Sequence, residues 1–233
     1  MQPLHERLLA EVFEERQRLT SRRRLLAQSA TLAAGGAMAL TFTDAPGLLG
    51  GRTVSAQTTF ADDVEVLNYA LTLEHLEFAF YRDGLEQFSD ADFGESPFGV
   101  PISERLTAIR DHEEAHVETL TTVITDLGGE PVQEAEYDFG YTDAATFLAT
   151  AQALENTGVS AYDGAGQFLE NPDLLTAAGT IVAVEARHAS YLNLLNGVLP
   201  FPAPFETPLT PDEVLAIAGP FIVSADAEAT PEA

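Results

Sequence analysis

The chain has 233 residues, 37 of them acidic and 11 basic, with a formal charge of −26 and no lysine. So acidic a surface repels nucleic acid and anionic membranes and suits solubility in a saline or otherwise concentrated medium. With no cysteine, disulfides, thiolate metal sites and a lipid-anchored cleavage product are excluded.

At the N-terminus, Ser21-Arg22-Arg23-Arg24-Leu25-Leu26 resembles a twin-arginine export motif, and an apolar, small-residue stretch runs on from Leu25 to Leu40. Val54-Ser55-Ala56 places small residues ahead of a cleavage expected before Gln57. Residues 1–56 are therefore expected to be a signal with a long charged leader. The mature protein would be periplasmic, extracellular or on the cell surface, without stable membrane insertion. A retained anchor is the competing reading. Gln28, Ser29, Thr31, Gly35 and Gly36 make the apolar stretch a poor membrane span.

Four long helical patterns follow, starting near Phe60, Pro101, Asp143 and Pro172. Pro101 and Pro172 suit first turns, where a missing N–H costs nothing, and Asn171 is a good cap. Gly84, Gly128-Gly129 and Gly197 read as helix-ending or near-ending positions. The connection from Gly128 to Thr142 is 15 residues long, more than a helical hairpin needs. Extended, it reaches about 50 Å, enough to cross the bundle from end to end. Thr210-Pro211-Asp212-Glu213 starts a short fifth helix, Pro211 to Ala218, which Gly219-Pro220 stops. Residues 57–222 are expected to form one all-α domain and 223–233 an acidic, disordered tail. The aromatic residues in 92–98 and 199–202 read as loop packing.

The mature chain holds four histidines, and two of them occur in identical steps, Glu113-Glu114-Ala115-His116 and Glu185-Ala186-Arg187-His188. Three residues apart, carboxylate and imidazole share one helical face and can grip the same or adjacent metal ions. The first and third helices supply Glu74 and Glu155, each followed seven residues later by a tyrosine, Tyr81 and Tyr162, on the same face. All four glutamates lie on apolar stripes: Glu113 with Leu106 and Leu120, Glu185 with Ile181 and Leu192, Glu155 with Ala151 and Val159, Glu74 with Leu67 and Leu71. Lone buried carboxylates cost several kcal/mol or more, whereas two divalent cations would cancel four of them. From the expected helix starts, the four fall 14, 12, 12 and 13 residues in. At about 1.5 Å per residue that is one common level, near mid-bundle.

This arrangement is the recipe of ferritin-like di-metal bundles, one Glu from each of two helices and a Glu-x-x-His from each of the others. The chain from about Phe60 to Gly197 resembles the ferritin-like domain of desiccation-related proteins, most closely in its Leu71-to-Tyr81 and Thr210-to-Ile222 runs. The resemblance implies a four-helix bundle with one long crossover, and metal ligands at Glu74, Glu113, His116, Glu155, Glu185 and His188. Tyr81 and Tyr162 are either core residues or donors to the carboxylates. Glu77, a turn beyond Glu74 and as apolar in its surroundings, competes with it; the tyrosine spacing favours Glu74. His75, His112 and Glu114 read as peripheral or as outer support.

Hard carboxylate ligands with two imidazoles suit two ions of iron or manganese and admit zinc. The leading expectation is an exported di-metal protein handling oxygen, peroxide or ferrous iron in stress protection. The alternatives are a metal-binding protein without turnover and a structural stress protein. Assembly of identical copies is compatible with the sequence, which contains no phosphate loop, dinucleotide fingerprint or nucleophile elbow.

Overall fold

The computed structural model describes residues 60–223, all within one compact unit. The described residues are helical: α1 Asp63–Gln87, α2 Asp90–Phe93, α3 Ile102–Asp126, α4 Ala144–Ala165, α5 Pro172–Leu195 and α6 Pro211–Ala218, with single 3-10 turns after α4 and α6. The expected signal segment, and all of the expected tail except Val223, lie outside the described residues.

The helix starts obey local chemistry. The Asp62 carboxylate accepts from Glu65 N–H at 2.9 Å and caps α1. Asp143 and Thr146 form a reciprocal capping box on α4, and Thr210 with Glu213 does the same on α6. Asn171 caps α5 ahead of Pro172. Gly128 (φ 79°) and Gly197 (φ 72°) take the left-handed conformation that follows the ends of α3 and α5.

Chain direction follows from which residues meet at one end of the bundle. Leu67 of α1 and Leu174 of α5 lie there with Val123 of α3 and Ala165 of α4. The starts of α1 and α5 thus meet the ends of α3 and α4. α1 is antiparallel to α3, α4 is antiparallel to α5, and α3 and α4 run the same way. Residues 127–143 must therefore travel the length of the bundle, as expected from their number.

That crossover is pinned along its path. Asn68 on α1 donates to Glu130 C=O at 3.1 Å and accepts from Val132 N–H at 2.8 Å. Further on, Phe139 and Tyr141 pack edge-on against Phe80 at 5.1 and 5.4 Å between centroids. The chain beyond α6 closes over it, with Asp138 N–H donating to Phe221 C=O and Val223 N–H to Glu136 C=O, both at 2.8 Å. The segment leading into α6 presses on α4, where a Cβ at Gly164 would lie 1.8 Å from Leu209 O.

Two local expectations change, and Gly84 has a further role. Gly84 lies in the last turn of α1, the near-ending place expected for it, where a Cβ would lie 2.0 Å from the Phe147 ring. Its role is to let α4 approach. The start of the 92–98 stretch, read as loop packing, belongs instead to the short helix α2, and Phe93 is buried against Phe88 and Phe147. Phe201 packs little, being 74% exposed.

Candidate metal centre

Glu74, Glu113, Glu155 and Glu185 are all fully buried at mid-bundle, one from each long helix. His116 and His188 join them, buried one turn along from Glu113 and Glu185. Their liganding atoms fall into two overlapping groups. The first is Glu74, Glu113, His116 and Glu185; the second is Glu113, Glu155, Glu185 and His188, each with one atom per residue within 4.8 Å of the others. Donors that close together can bind one ion at ordinary metal–ligand distances of about 2.0–2.3 Å. Glu113 and Glu185 belong to both groups.

The fit to cations rests on what the side chains do to one another. His116 Nδ1 lies 3.0 Å from Glu113 Oε2 and 3.2 Å from both Glu74 Oε2 and Glu185 Oε1. One ring nitrogen carries one proton, so it cannot serve three carboxylates. His188 Nδ1 lies 3.0 Å from Glu113 Oε1 and 3.2 Å from Glu155 Oε2. The two His188 separations are of hydrogen-bond length, but the groups are not aligned for hydrogen bonds. Glu113 Oε1, Glu155 Oε2, both Glu185 oxygens and His188 Nδ1 are buried without a partner. Buried polar atoms are nearly always satisfied, so this cluster of orphans marks where positive charge belongs.

Proton affinities carry the same message. Burial, then Glu185, raises the Glu113 carboxyl well above the ordinary range, although His116 and His188 oppose it. Burial likewise pushes Glu155 and Glu185 up to about 8, against the support of Tyr81 for the first and His116 for the second. Burial alone would lower His116, but bonds to Glu113, Glu185 and Glu74 outweigh it and hold the imidazole protonated. Crowded carboxylates of this kind favour bound protons or cations, either of which offsets their mutual repulsion.

Each tyrosine reaches across to the other helix pair. Tyr81 on α1 donates to Glu155 Oε1 on α4 at 2.6 Å, and Tyr162 on α4 donates to Glu74 Oε1 on α1. In both glutamates Oε1 is occupied by a phenol while Oε2 faces a histidine. One oxygen per terminal carboxylate is thus left for an ion.

Two further residues were not resolvable from spacing within single helices. His112 Nδ1 lies 2.9 Å from His188 Nε2, the rings stacked at 5.2 Å. Its contact orients His188 through the nitrogen remote from the carboxylates. Glu77 is also buried, 4% exposed, yet belongs to neither group. A Cβ at Gly158 would lie 3.1 Å from Glu77 Oε1 and 3.4 Å from Glu185 Oε2, so the glycine makes room for two carboxylates. Burial, then Glu185, raises Glu77 well above its ordinary value. His75 stays peripheral, bonded to Val132 C=O at 3.2 Å, and Glu114 is exposed.

Comparison with known proteins agrees with this geometry. Residues 62–197 match the ferritin-like domain family. The chain belongs to the ferritin-like family. It is also 29% identical over 195 residues to Protein rds1 of Schizosaccharomyces pombe, an alignment covering 82% of this chain and 47% of that protein. The chain thus spans about half the length of this curated relative. In the ferritin-like bundle seen here, clustered carboxylates and imidazoles form a site that could hold metal. No helix among the described residues is long and apolar enough to cross a membrane.

Proposed function

We propose that this ferritin-like chain is an exported di-metal carboxylate protein, binding two ions of iron or manganese and reacting with dioxygen, peroxide or ferrous iron. The observation that carries the reading is the pair of overlapping donor groups joined by Glu113 and Glu185. Glu74 and His116 complete one ion's ligands, Glu155 and His188 the other's. Four carboxylates against two divalent cations give a neutral core, and neutral imidazoles add no charge.

Bound iron or manganese would supply two electrons, one per ion, for reduction of dioxygen or peroxide. The protein's contribution is positional. Tyr81 and Tyr162 keep their protons, since burial and the nearby carboxylates raise both phenols well above their ordinary value. As donors they fix the rotamers of Glu155 and Glu74. His112 fixes the His188 ring. Leu106, Leu192 and Ala151 are fully buried on the helices that carry the donors.

The resemblance to desiccation-related proteins supports a protective role, and the leader Ser21-Arg22-Arg23-Arg24 supports export after folding. A Lys pair in place of Arg22 and Arg23 should leave the precursor inside the cell; normal secretion would refute the twin-arginine reading. For the centre, metal analysis of protein from its native source should find two iron or manganese ions per chain, and the loaded protein should turn over ferrous iron or peroxide. Two ions without turnover would favour the second reading, metal storage or buffering, which the same donor set supports.

A further inference from the structure

One helical turn from the donors, towards the starts of α1 and α5, the bundle encloses a cavity of ≈ 50 Å³. Its upper wall is Ala70, four residues before Glu74; Leu120, four after His116; Ile181, four before Glu185; and Tyr162, whose hydroxyl bonds Glu74. The cavity is thus the next layer of the bundle, against the ligands of one ion.

Its lining is hydrocarbon with three hydroxyls. Those of Thr119 and Tyr162 are spent on Ala115 C=O and Glu74. The Tyr69 hydroxyl is buried and has no partner. A water needs about 10–15 Å³ and two to four polar partners, so there is room but not company for one. The walls become accessible on one side, where exposed Thr119 and half-buried Val123 of α3 stand opposite exposed Ala177 and half-buried Ala178 of α5. A dry chamber with a mouth at one end and a metal ligand's partner at the other selects for small uncharged molecules of low polarity.

We propose that this chamber admits and holds dioxygen, delivering it to the Glu74–His116 side of the centre. The proposal deepens the functional reading above and rests on it for the oxidant: dioxygen partitions into hydrocarbon, whereas peroxide, with two donors and two acceptors, does not.

Metal-free crystals under xenon pressure test the chamber without any turnover. A xenon peak between Ala70, Leu120 and Tyr162 is expected, and none there would overturn the proposal. Ala178→Phe and Val123→Phe, at half-buried positions on opposite sides of the mouth, should each abolish that peak. In iron-loaded protein they should slow oxidation at limiting dioxygen at least tenfold, with metal content unchanged and the rate with peroxide within about twofold. An unchanged dioxygen rate in a variant whose ring is seen to fill the mouth would also overturn the proposal. A loaded wild-type protein inert to both oxidants would sink the functional reading and the delivery role together, while the xenon result still decides whether the chamber takes an apolar gas.

Discussion

Helices α1 and α3 contribute Glu74, Tyr81 and the Glu113/His116 step; α4 and α5 contribute Glu155, Tyr162 and the Glu185/His188 step. The two sets are the same device used twice, and each tyrosine serves the other set's glutamate. Their surroundings differ. His188 is backed by His112 at 2.9 Å, whereas the Glu74–His116 side borders the apolar cavity. A repeated plan of side chains therefore does not give the two donor groups equivalent surroundings. One is braced from behind by an imidazole, and the other opens towards hydrocarbon.

The most disruptive test removes what the halves share. Replacing Glu113 and Glu185 together by Ala should abolish both ions and the metal-dependent rise in melting temperature. For one ion at a hundredfold excess over its dissociation constant, that rise is about 2.7 kcal/mol, or roughly 5–10 °C for a domain of this size. Exchanging the surface acids Glu134 and Glu136 should leave the rise intact. The reverse outcome would mean that cations merely neutralise the exterior.

Next in size is the response to pH, read by calorimetry on metal-free protein. Glu155 and Glu185, raised to about 8 when folded, bind more protons in the native than in the unfolded state. Their contribution is full below the ordinary carboxylate range and is lost as pH rises through about 8. Melting temperature should fall between pH 6 and 9, where surface carboxylates are already ionised. Bound metal should flatten that slope and release protons on binding. A metal-free protein that gains stability over this window would contradict the crowding of the chamber.

Smaller effects separate the halves. Tyr81→Phe and Tyr162→Phe should each weaken one ion about 10–100-fold, the first at Glu155 and the second at Glu74. His112→Ala should weaken the His188 ion by about tenfold and spare the other. Titrations that find both ions equally affected by each variant would show that the two positions act as one unit. Least of all, Glu77→Gln should retain both ions, because Glu77 lies outside both donor groups; loss of an ion would make it a ligand.

Much of this was legible in the chain, and the rest was hidden for a definite reason. Caps and prolines placed the long helices near Phe60, Pro101, Asp143 and Pro172, within three residues of the observed starts. Spacing within single helices, read with the ferritin-like recipe, picked out the six carboxylate and imidazole residues that the structure brings together. Contacts between helices depend on their rotation and relative height, and intrahelical spacing does not contain these. Tyr81 could be put on the face of Glu74 but not against Glu155, and His112 could not be aimed at His188. The packing role of Gly84 was hidden for the same reason, since the need for a missing Cβ comes from Phe147 on another helix.

Anomalous diffraction from crystals grown with manganese or iron tests the centre most directly. Two peaks are predicted inside the bundle, one among Glu74, Glu113, His116 and Glu185, the other among Glu113, Glu155, Glu185 and His188. Glu113 and Glu185 should touch both. A chamber without peaks, with metal only on the acidic surface, would contradict the di-metal centre.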